Sequence, residues 1–401
     1  LFSKIIIMFL ISAIQTLFYV VVGNLILEIV GMNMAHWMIL FSISCFANLL
    51  GLNISASFNS VKVIYILIPI CIIPQLLFSG IIVSFDKLNP VFASKSHVPT
   101  IGNVMASRWA YEALAVSQFK DNKFEQLFFK YDKQMSFANW KKDQWISNLQ
   151  SKIKDVSRFA NDSTNNKDEL LILINNRKRN IIKNEIQKEL RLLKNTDCTD
   201  TEGLCEAINE LENNNFTVNT YTSINNFLSI LKEDYKQQYK INDHKKDSVV
   251  KLYTKPSDAY MKVINTLKRS KKISYKQHKK LRKFMEKLKD NSFQTFRNKY
   301  KNKALEDFVT NSNTLIFTDE NNTNIIQKSD PIYLDPYDNN YFKSHFYSPR
   351  KKIFGFYIDT LYANVLVIWL MTILLIITLY FDMFKWLIDK ISSIGSIYSK
   401  K

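Results

Sequence analysis

A polar amide side chain stands within an apolar stretch of this 401-residue chain. Gln75 lies in the stretch 63–85, which has no charged residue but contains Pro69 and Pro74. An amide inside an apolar span needs a hydrogen-bond partner. Gln75 could contact a polar ligand, or it could bond to a backbone carbonyl that a proline leaves open. The sequence alone leaves both roles open.

Two further pairs have spacings that permit an interaction. Arg108 and Glu112 are four residues apart, so on a helix their side chains can form an ion pair. We expect this pair to have a structural role and no catalytic one. Cys198 and Cys205 could close a small disulfide loop if their segment faces an oxidising compartment, and otherwise they are free thiols.

Motifs of enzyme chemistry are absent from the sequence. It contains no phosphate-binding loop of the GxxxxGK[ST] type, no GxGxxG, no HExxH and no GxSxG. The five histidines are scattered. Asp330, Asp335 and Asp338 could form a carboxylate site, but turn formation next to proline explains them more simply. We therefore expect no catalytic residue, no metal site and no cofactor-binding residue in this chain.

The elements that position these residues follow from the distribution of charge. Residues 1–85 carry only three charges, whereas most charged residues lie in 86–352. Apolar runs long enough to cross a bilayer as helices occupy 5–27, 36–56, 63–85 and 356–381. The predicted fold is a mainly α, polytopic helical membrane domain with four spanning helices and re-entrant helices at about 88–118. The second span is rich in small residues and amides, which predicts close packing and hydrogen bonds between helices.

A large insert separates the third span from the fourth. We predict a membrane domain at 1–118, an extracytoplasmic insert at 119–352, and a last span with a cytoplasmic tail at 353–401. The insert is expected to be mostly helical to 312 and extended from 313, with a hairpin through 319–323. Apolar residues at three- and four-residue spacing predict helices at 137–159, 167–194, 221–240 and 257–289.

The short loops predict the orientation of the chain. Lys4, Lys62 and the lysines after residue 384 place both chain ends and the loop between the second and third spans in the cytoplasm. Arg350, Lys351 and Lys352 argue for the opposite side, but long inserts translocate largely regardless of charge. The net charge of +18 is explained by lysine-rich solvated helix faces, so we expect no nucleic-acid partner.

Two motifs carry a family resemblance. The third span continues into FSG at 78–80, and RWAYEAL follows at 108–114. Together they resemble the membrane domain of G-subfamily (white/brown type) ABC exporters, where the matching signature has Arg108, Ala113 and Leu114 in common and differs at 109–111. The whole chain also resembles the C-terminal part of fused ATPase–permease chains of Bacteroidetes-type bacteria, through segments such as NKALEDFVTNS, QKSDPIY, HFYSPRKKIFG and VIWLMT. This resemblance covers residues 1–118 and 300–385 well. Since the chain begins with Leu1, we expect a fragment of a longer chain.

The resemblance implies a function for the chain. It implies an ATP-driven exporter in the bacterial inner membrane, with the nucleotide-binding domain, its ATP and its Mg²⁺ on the missing N-terminal part of the same chain. It also implies a second permease half, either an identical copy or a paralogue, and a cavity between the two halves. By spacing from Phe78, the cavity-facing positions are Pro69, Ile73 and Leu76, and Ile81 closes the exit.

The sequence does not identify the transported substrate, although apolar cavity positions fit a lipid-like or amphipathic molecule. A different class of protein stays open as an alternative. The chain could be a membrane-anchored extracytoplasmic binding or scaffold protein that acts through its helical insert.

Overall fold

The computed structural model describes residues 2–58, 60–83, 85, 88, 96–161, 169–192, 204–212, 217–253, 293–336, 343–386 and 390. The protein is mainly α and polytopic, as predicted. Its helices, in chain order, are α1 (Phe2–Ile26), α2 (Asn33–Ser57), α3 (Val61–Leu77), α4 (Thr100–Val104), α5 (Ala106–Lys120), α6 (Glu125–Trp140), α7 (Ile146–Asn161), α8 (Glu169–Leu192), α9 (Leu204–Glu212), α10 (Val218–Tyr253), α11 (Lys303–Val309) and α12 (Thr360–Tyr380). Residues 293–300 are also helical.

The chain divides into two compact units. Unit 1 consists of residues 1–126, 298–309 and 334–401, and unit 2 consists of 127–297 and 310–333. Unit 1 therefore includes two segments, 298–309 and 334–352, that the sequence assigned to the insert. The side of the membrane on which the insert lies stays a prediction.

Helix α2 is the centre of unit 1 and packs against α1, α5 and α12. Helices α1, α2 and α12 are each long and apolar enough to cross a membrane. The predicted hydrogen bonds between spans are present. Asn48 Nδ2 donates to Ser12 Oγ on α1 over 2.6 Å, and Asn53 Nδ2 donates to the Leu375 carbonyl on α12 over 2.9 Å. These bonds satisfy amides that would be costly to expose to lipid.

The third predicted span is shorter than the sequence indicated. Helix α3 ends at Leu77, so the prediction of one helix through residue 85 is wrong. The chain turns at Ser79, whose hydroxyl donates to the Leu76 carbonyl over 2.7 Å, and at Gly80, which has a φ of +83°. Seventeen residues rise about 25 Å, which is at the lower limit for a span.

The last span also begins later than predicted. Residues Phe356–Asp359 form strand β4, which pairs antiparallel with β3 (Arg350–Ile353), and α12 starts only at Thr360. Phe354 and Gly355 between the strands have φ of 48° and 86°. Two positive φ values fit a type I′ turn, whose twist matches a two-residue hairpin. Residues Phe356–Asp359 therefore belong to the hairpin and not to the helix.

Unit 2 has its own hydrophobic core, built mainly from α7, α8, α9 and α10. Helix α6 continues through a π-helical turn, Lys141–Trp145, into α7, so the predicted helix 137–159 is part of a longer helical run. The predicted helix 167–194 corresponds to α8, and the prediction at 221–240 corresponds to part of α10. The prediction at 257–289 lies outside the described residues.

The predicted hairpin in unit 2 is present. Its strands are β1 (Thr318–Glu320) and β2 (Ile325–Gln327), which pair antiparallel. Ile325 is buried in the core of unit 2, and its backbone N–H donates to Glu185 Oε1 over 2.9 Å. A carboxylate on α8 therefore holds the hairpin against the helices.

Candidate functional site

Three charged side chains meet without access to water in unit 1. Arg108 and Glu112 come from α5, Lys351 comes from β3, and each is 0% exposed. Lys351 Nζ lies 2.6 Å from Glu112 Oε1, and Arg108 Nη2 lies 3.5 Å from Glu112 Oε2. The pair predicted between Arg108 and Glu112 is thus part of a larger buried group, here called the charge cluster.

Two polar side chains complete the charge cluster. Asn364 on α12 donates its Nδ2 to Glu112 Oε2 over 2.9 Å and to the Trp109 carbonyl over 3.0 Å. Ser344 Oγ accepts from Lys351 Nζ over 2.8 Å. The cluster therefore joins α5, the β3–β4 hairpin and the first turns of the last span. Such an arrangement can fix the position of α5 against α12.

The electrostatics of the cluster follow from its composition. Burial alone raises the pKa of Glu112, but the charges of Arg108 and Lys351 outweigh burial and hold that pKa below its usual range. Burial lowers the pKa of Lys351 to about 8, with a contribution from Arg108, against the opposing effect of Glu112. The two pKa shifts are compatible with each other. The Glu112 carboxylate faces two cations, which favour its charged form, whereas Lys351 faces one carboxylate and is repelled by Arg108.

The rings around Arg108 share in its stabilisation. Its Cζ lies 3.8 Å from the centroid of the Trp109 ring and 5.9 Å from that of Phe346. A guanidinium over an aromatic face is attracted by the ring, more strongly where water is excluded. Trp109 and Ala113 on the same helix pack against Ile39 and Ile368 of the spans. Helix α5 is therefore held against α2 and α12 by apolar packing, and against α12 and the β3–β4 hairpin by the polar contacts of the charge cluster.

Sequence reasoning missed Lys351, Asn364 and Ser344. Lys351 lies in the run Arg350–Lys352, whose charge in the sequence bears only on the orientation of the chain. Asn364 did carry a signal, since an amide within the last apolar span needs a partner. Nothing in the sequence pairs Ser344 with either residue, because that contact depends on how the β3–β4 hairpin folds back.

Gln75 has a partner in the structure, although not a backbone carbonyl opened by a proline. The side-chain Oε1 of Gln75 accepts a hydrogen bond from the backbone N–H of Ser107 over 3.2 Å. The backbone carbonyl of Gln75 accepts a second one from the Ser107 hydroxyl over 2.5 Å. Ser107 lies in the first turn of α5, whose N–H groups have no partner within the helix. Gln75 thus ties α3 to the start of α5, which supports a structural role.

The other residues proposed for the transport path have a different environment. Pro69, Ile73, Leu76 and Ile81 are all exposed in the single chain. No described residue of α3 is fully buried. Ile81 follows the turn at Gly80, where an added Cβ would lie 2.8 Å from the rings of Phe346 and Phe85. These residues therefore lie on an open face of the single chain.

The remaining predicted positions do not form a site. Cys198 and the side chain of Cys205 lie outside the described residues, so the disulfide stays a prediction, and Asp338 lies outside them as well. Asp330 accepts from Ser136 Oγ over 2.6 Å, while Asp335 forms a bidentate pair with Arg350. No group of three or more metal-ligating side chains occurs among the described residues.

A comparison with known protein families found a similarity in the first part of the chain. Residues 1–119 match the family model of the ABC-2 type transporter, which covers 119 of the 401 residues. The matched stretch contains α1 to α4 and all of α5 except its last residue, and this similarity supports an ABC-2 type permease. A search of curated proteins and a search of solved structures found no match.

Proposed function

We propose that this chain is the permease part of an ATP-driven ABC exporter that moves a lipid-like or amphipathic substrate across a bacterial inner membrane. The observation that carries the proposal is the match of residues 1–119 to the ABC-2 type transporter, together with three packed helices able to span a bilayer. We propose that this part does no chemistry, and that ATP and Mg²⁺ bind a nucleotide-binding domain in the same longer chain.

The open face of α3 supports a second permease half. An apolar helix with no fully buried residue is normally covered by lipid or by another protein. In this proposal, Pro69, Ile73 and Leu76 face a cavity between two halves, and Ile81 lies at its exit. The partner is an identical copy or a paralogue.

The proposed orientation places the insert on the extracytoplasmic side. The charges that argued against it are paired within the fold, Arg350 with Asp335 and Lys351 with Glu112. The variant Lys240→Cys, in a chain whose four native cysteines (Cys45, Cys71, Cys198 and Cys205) are replaced by serine, tests this topology in intact cells. Labelling by an impermeant maleimide is expected, and labelling only after lysis contradicts the proposed side.

The transport function is tested with the full-length chain in proteoliposomes. ATP-dependent movement of a fluorescent short-chain phospholipid is the readout, with ATP hydrolysis measured in parallel. Ile73→Asn is expected to reduce transport. Ile64→Asn is the matched control, because nine residues are roughly two and a half helical turns and place it on the opposite face of α3.

The outcomes of this experiment are distinct. Movement of the phospholipid that depends on ATP supports the exporter. Equal transport by wild type and Ile73→Asn removes the role of this helix face. A full-length chain that neither contains a phosphate-binding loop nor hydrolyses ATP overturns the exporter as a whole.

One observation favours the alternative function for unit 2. Five consecutive apolar residues at the start of α8, Leu170–Ile174, are exposed to between 36% and 68%. An exposed apolar run on a unit with its own core is typical of a protein-binding surface. We therefore keep a binding role of the insert as a second candidate. Loss of binding partners, without loss of transport, after charged substitutions at Leu170 and Leu173 would support it.

A further inference from the structure

A cavity of about 1040 Å³ in unit 1 has two chemically different walls. One wall is the end of α1 with the link to α2, where Val21, Leu25 and Leu27 expose 47%, 77% and 69% of their side chains. The other wall is the segment 298–304. An apolar wall facing a polar one matches a ligand that is itself amphipathic.

The polar wall is cationic. It carries Lys299, Lys301 and Lys303, and the first and last of these are exposed. Lys301 pairs with Glu306 over 2.7 Å. Among the described lining residues, Glu28 is the one acid, so three lysines against one carboxylate leave +2, or +1 when Glu306 is included. The charge balance favours an anionic group.

The floor of the cavity is held in place by hydrogen bonds. Asn24 lies there with 8% exposure, and its Nδ2 donates to Asn33 Oδ1 over 2.7 Å. His36 Nδ1 lies 3.1 Å from Asn24 Oδ1. Asn122 also lines the cavity, and its Oδ1 accepts the N–H groups of Phe124 and Glu125. A ligand therefore meets a floor that is already ordered, which lowers the entropy cost of binding.

The position of the cavity along α1 points to the bilayer surface. The cavity begins at the last turns of a 25-residue apolar helix, which is where a spanning helix meets the lipid headgroups. Lysines at that depth extend their ammonium groups toward phosphates while the helix end stays beside the acyl chains. A soluble anion would use only the lysine wall.

We infer that this cavity binds an anionic phospholipid of the surrounding bilayer. Lys299 and Lys303 contact the headgroup phosphate, and the acyl chains lie along Val21 and Leu25. The inference depends on α1 spanning the membrane and does not depend on what the protein transports. Its failure therefore leaves the proposed exporter untouched.

Native mass spectrometry of the full-length chain tests this site by titration with phosphatidylglycerol and with phosphatidylcholine of the same acyl chains. Wild type is expected to bind phosphatidylglycerol more tightly. The double variant Lys299→Ser/Lys303→Ser is expected to lose about fivefold in affinity per lysine, or about 25-fold in total, for phosphatidylglycerol only. Lys240→Ser/Lys245→Ser removes the same charge from exposed positions on α10 and is expected to behave as wild type.

Two further arms separate a lipid from a soluble anion. Leu25→Ser removes part of the apolar wall and is expected to weaken binding of both lipids. Millimolar glycerol 3-phosphate presents an anionic phosphate group without acyl chains and is expected not to compete. Equal binding of the two lipids by wild type overturns the inference. So does an unchanged preference in the Lys299/Lys303 variant, or competition by glycerol phosphate.

Discussion

Lys351 Nζ and Glu112 Oε1 lie 2.6 Å apart, although 239 residues separate them in the sequence. Both side chains are fully buried. Taking two charges out of water is costly, and their attraction offsets that cost only when the geometry is good and other hydrogen bonds complete it. Asn364 and Ser344 supply those bonds, so the pair fixes where the β3–β4 hairpin meets α5 and the last span.

Removal of one member of the charge cluster should strongly destabilise unit 1. Glu112→Gln leaves Arg108 and Lys351 buried together without a carboxylate, and we expect a loss of about 3–5 kcal/mol in the free energy of unfolding. Lys351→Met should cost less, because Arg108 still faces Glu112. The measurement is unfolding of the purified protein in detergent, followed by tryptophan fluorescence.

The double variant Glu112→Gln/Lys351→Met completes this cycle. Because it removes one charge of each sign, we expect its loss to be smaller than the sum of the single losses by about 1–3 kcal/mol. Strict additivity of the two single losses would show that the two side chains do not interact in the folded protein.

The stability of the protein should depend on pH through the ionisation of Glu112. Its pKa in the folded protein is lowered from 4.5, so its contribution is present above pH 4.5 and is lost as the pH falls through the folded-state pKa. We therefore expect the stability difference between wild type and Glu112→Gln to be largest above pH 4.5 and to shrink below it. Thermal unfolding of both proteins between pH 3 and pH 7 measures this difference. A difference that stays constant over that range would contradict an ionised Glu112.

The turn after α3 should depend on Gly80. Its φ of +83° disfavours any side chain, and an added Cβ would lie 2.8 Å from ring atoms of Phe346 and Phe85. Gly80→Ala should therefore cost about 2 kcal/mol or more, of which about 1–2 kcal/mol is backbone conformation. Gly23→Ala is the matched control, since nothing lies within 4 Å of its added Cβ. Equal melting temperatures for the two variants would argue against this turn geometry.

Substitutions at Gln75 and Ile81 should distinguish a residue needed for stability from one needed for transport. Gln75→Leu leaves the Ser107 N–H without its acceptor, and we expect a loss of about 1–2 kcal/mol in stability. Ile81→Ala changes a residue that is 50% exposed and should alter stability by less than about 1 kcal/mol. Unfolding in detergent and ATP-dependent transport are measured for both variants. A Gln75→Leu protein of wild-type stability would reopen a direct role of this amide in binding a ligand.

The sequence by itself predicted the parts of this protein that depend on local pattern. Long apolar runs determine where helices such as α1 and α2 lie, because an uncharged stretch of that length satisfies its own backbone only as a helix in lipid. The spacing of Arg108 and Glu112 placed them within reach of each other on one helix. The β1–β2 hairpin was likewise visible from its turn residues.

Tertiary structure decided where those elements stop and what their polar groups contact. The shared apolar composition of 63–85 does not reveal that a positive φ at Gly80 ends the helix early, or that Phe356–Asp359 pair with β3 instead of joining α12. Lys351 became a partner of Glu112 only because the hairpin returns the chain to α5. Contacts between residues hundreds of positions apart depend on packing energies that no local window contains, which is why the charge cluster emerged only from the fold.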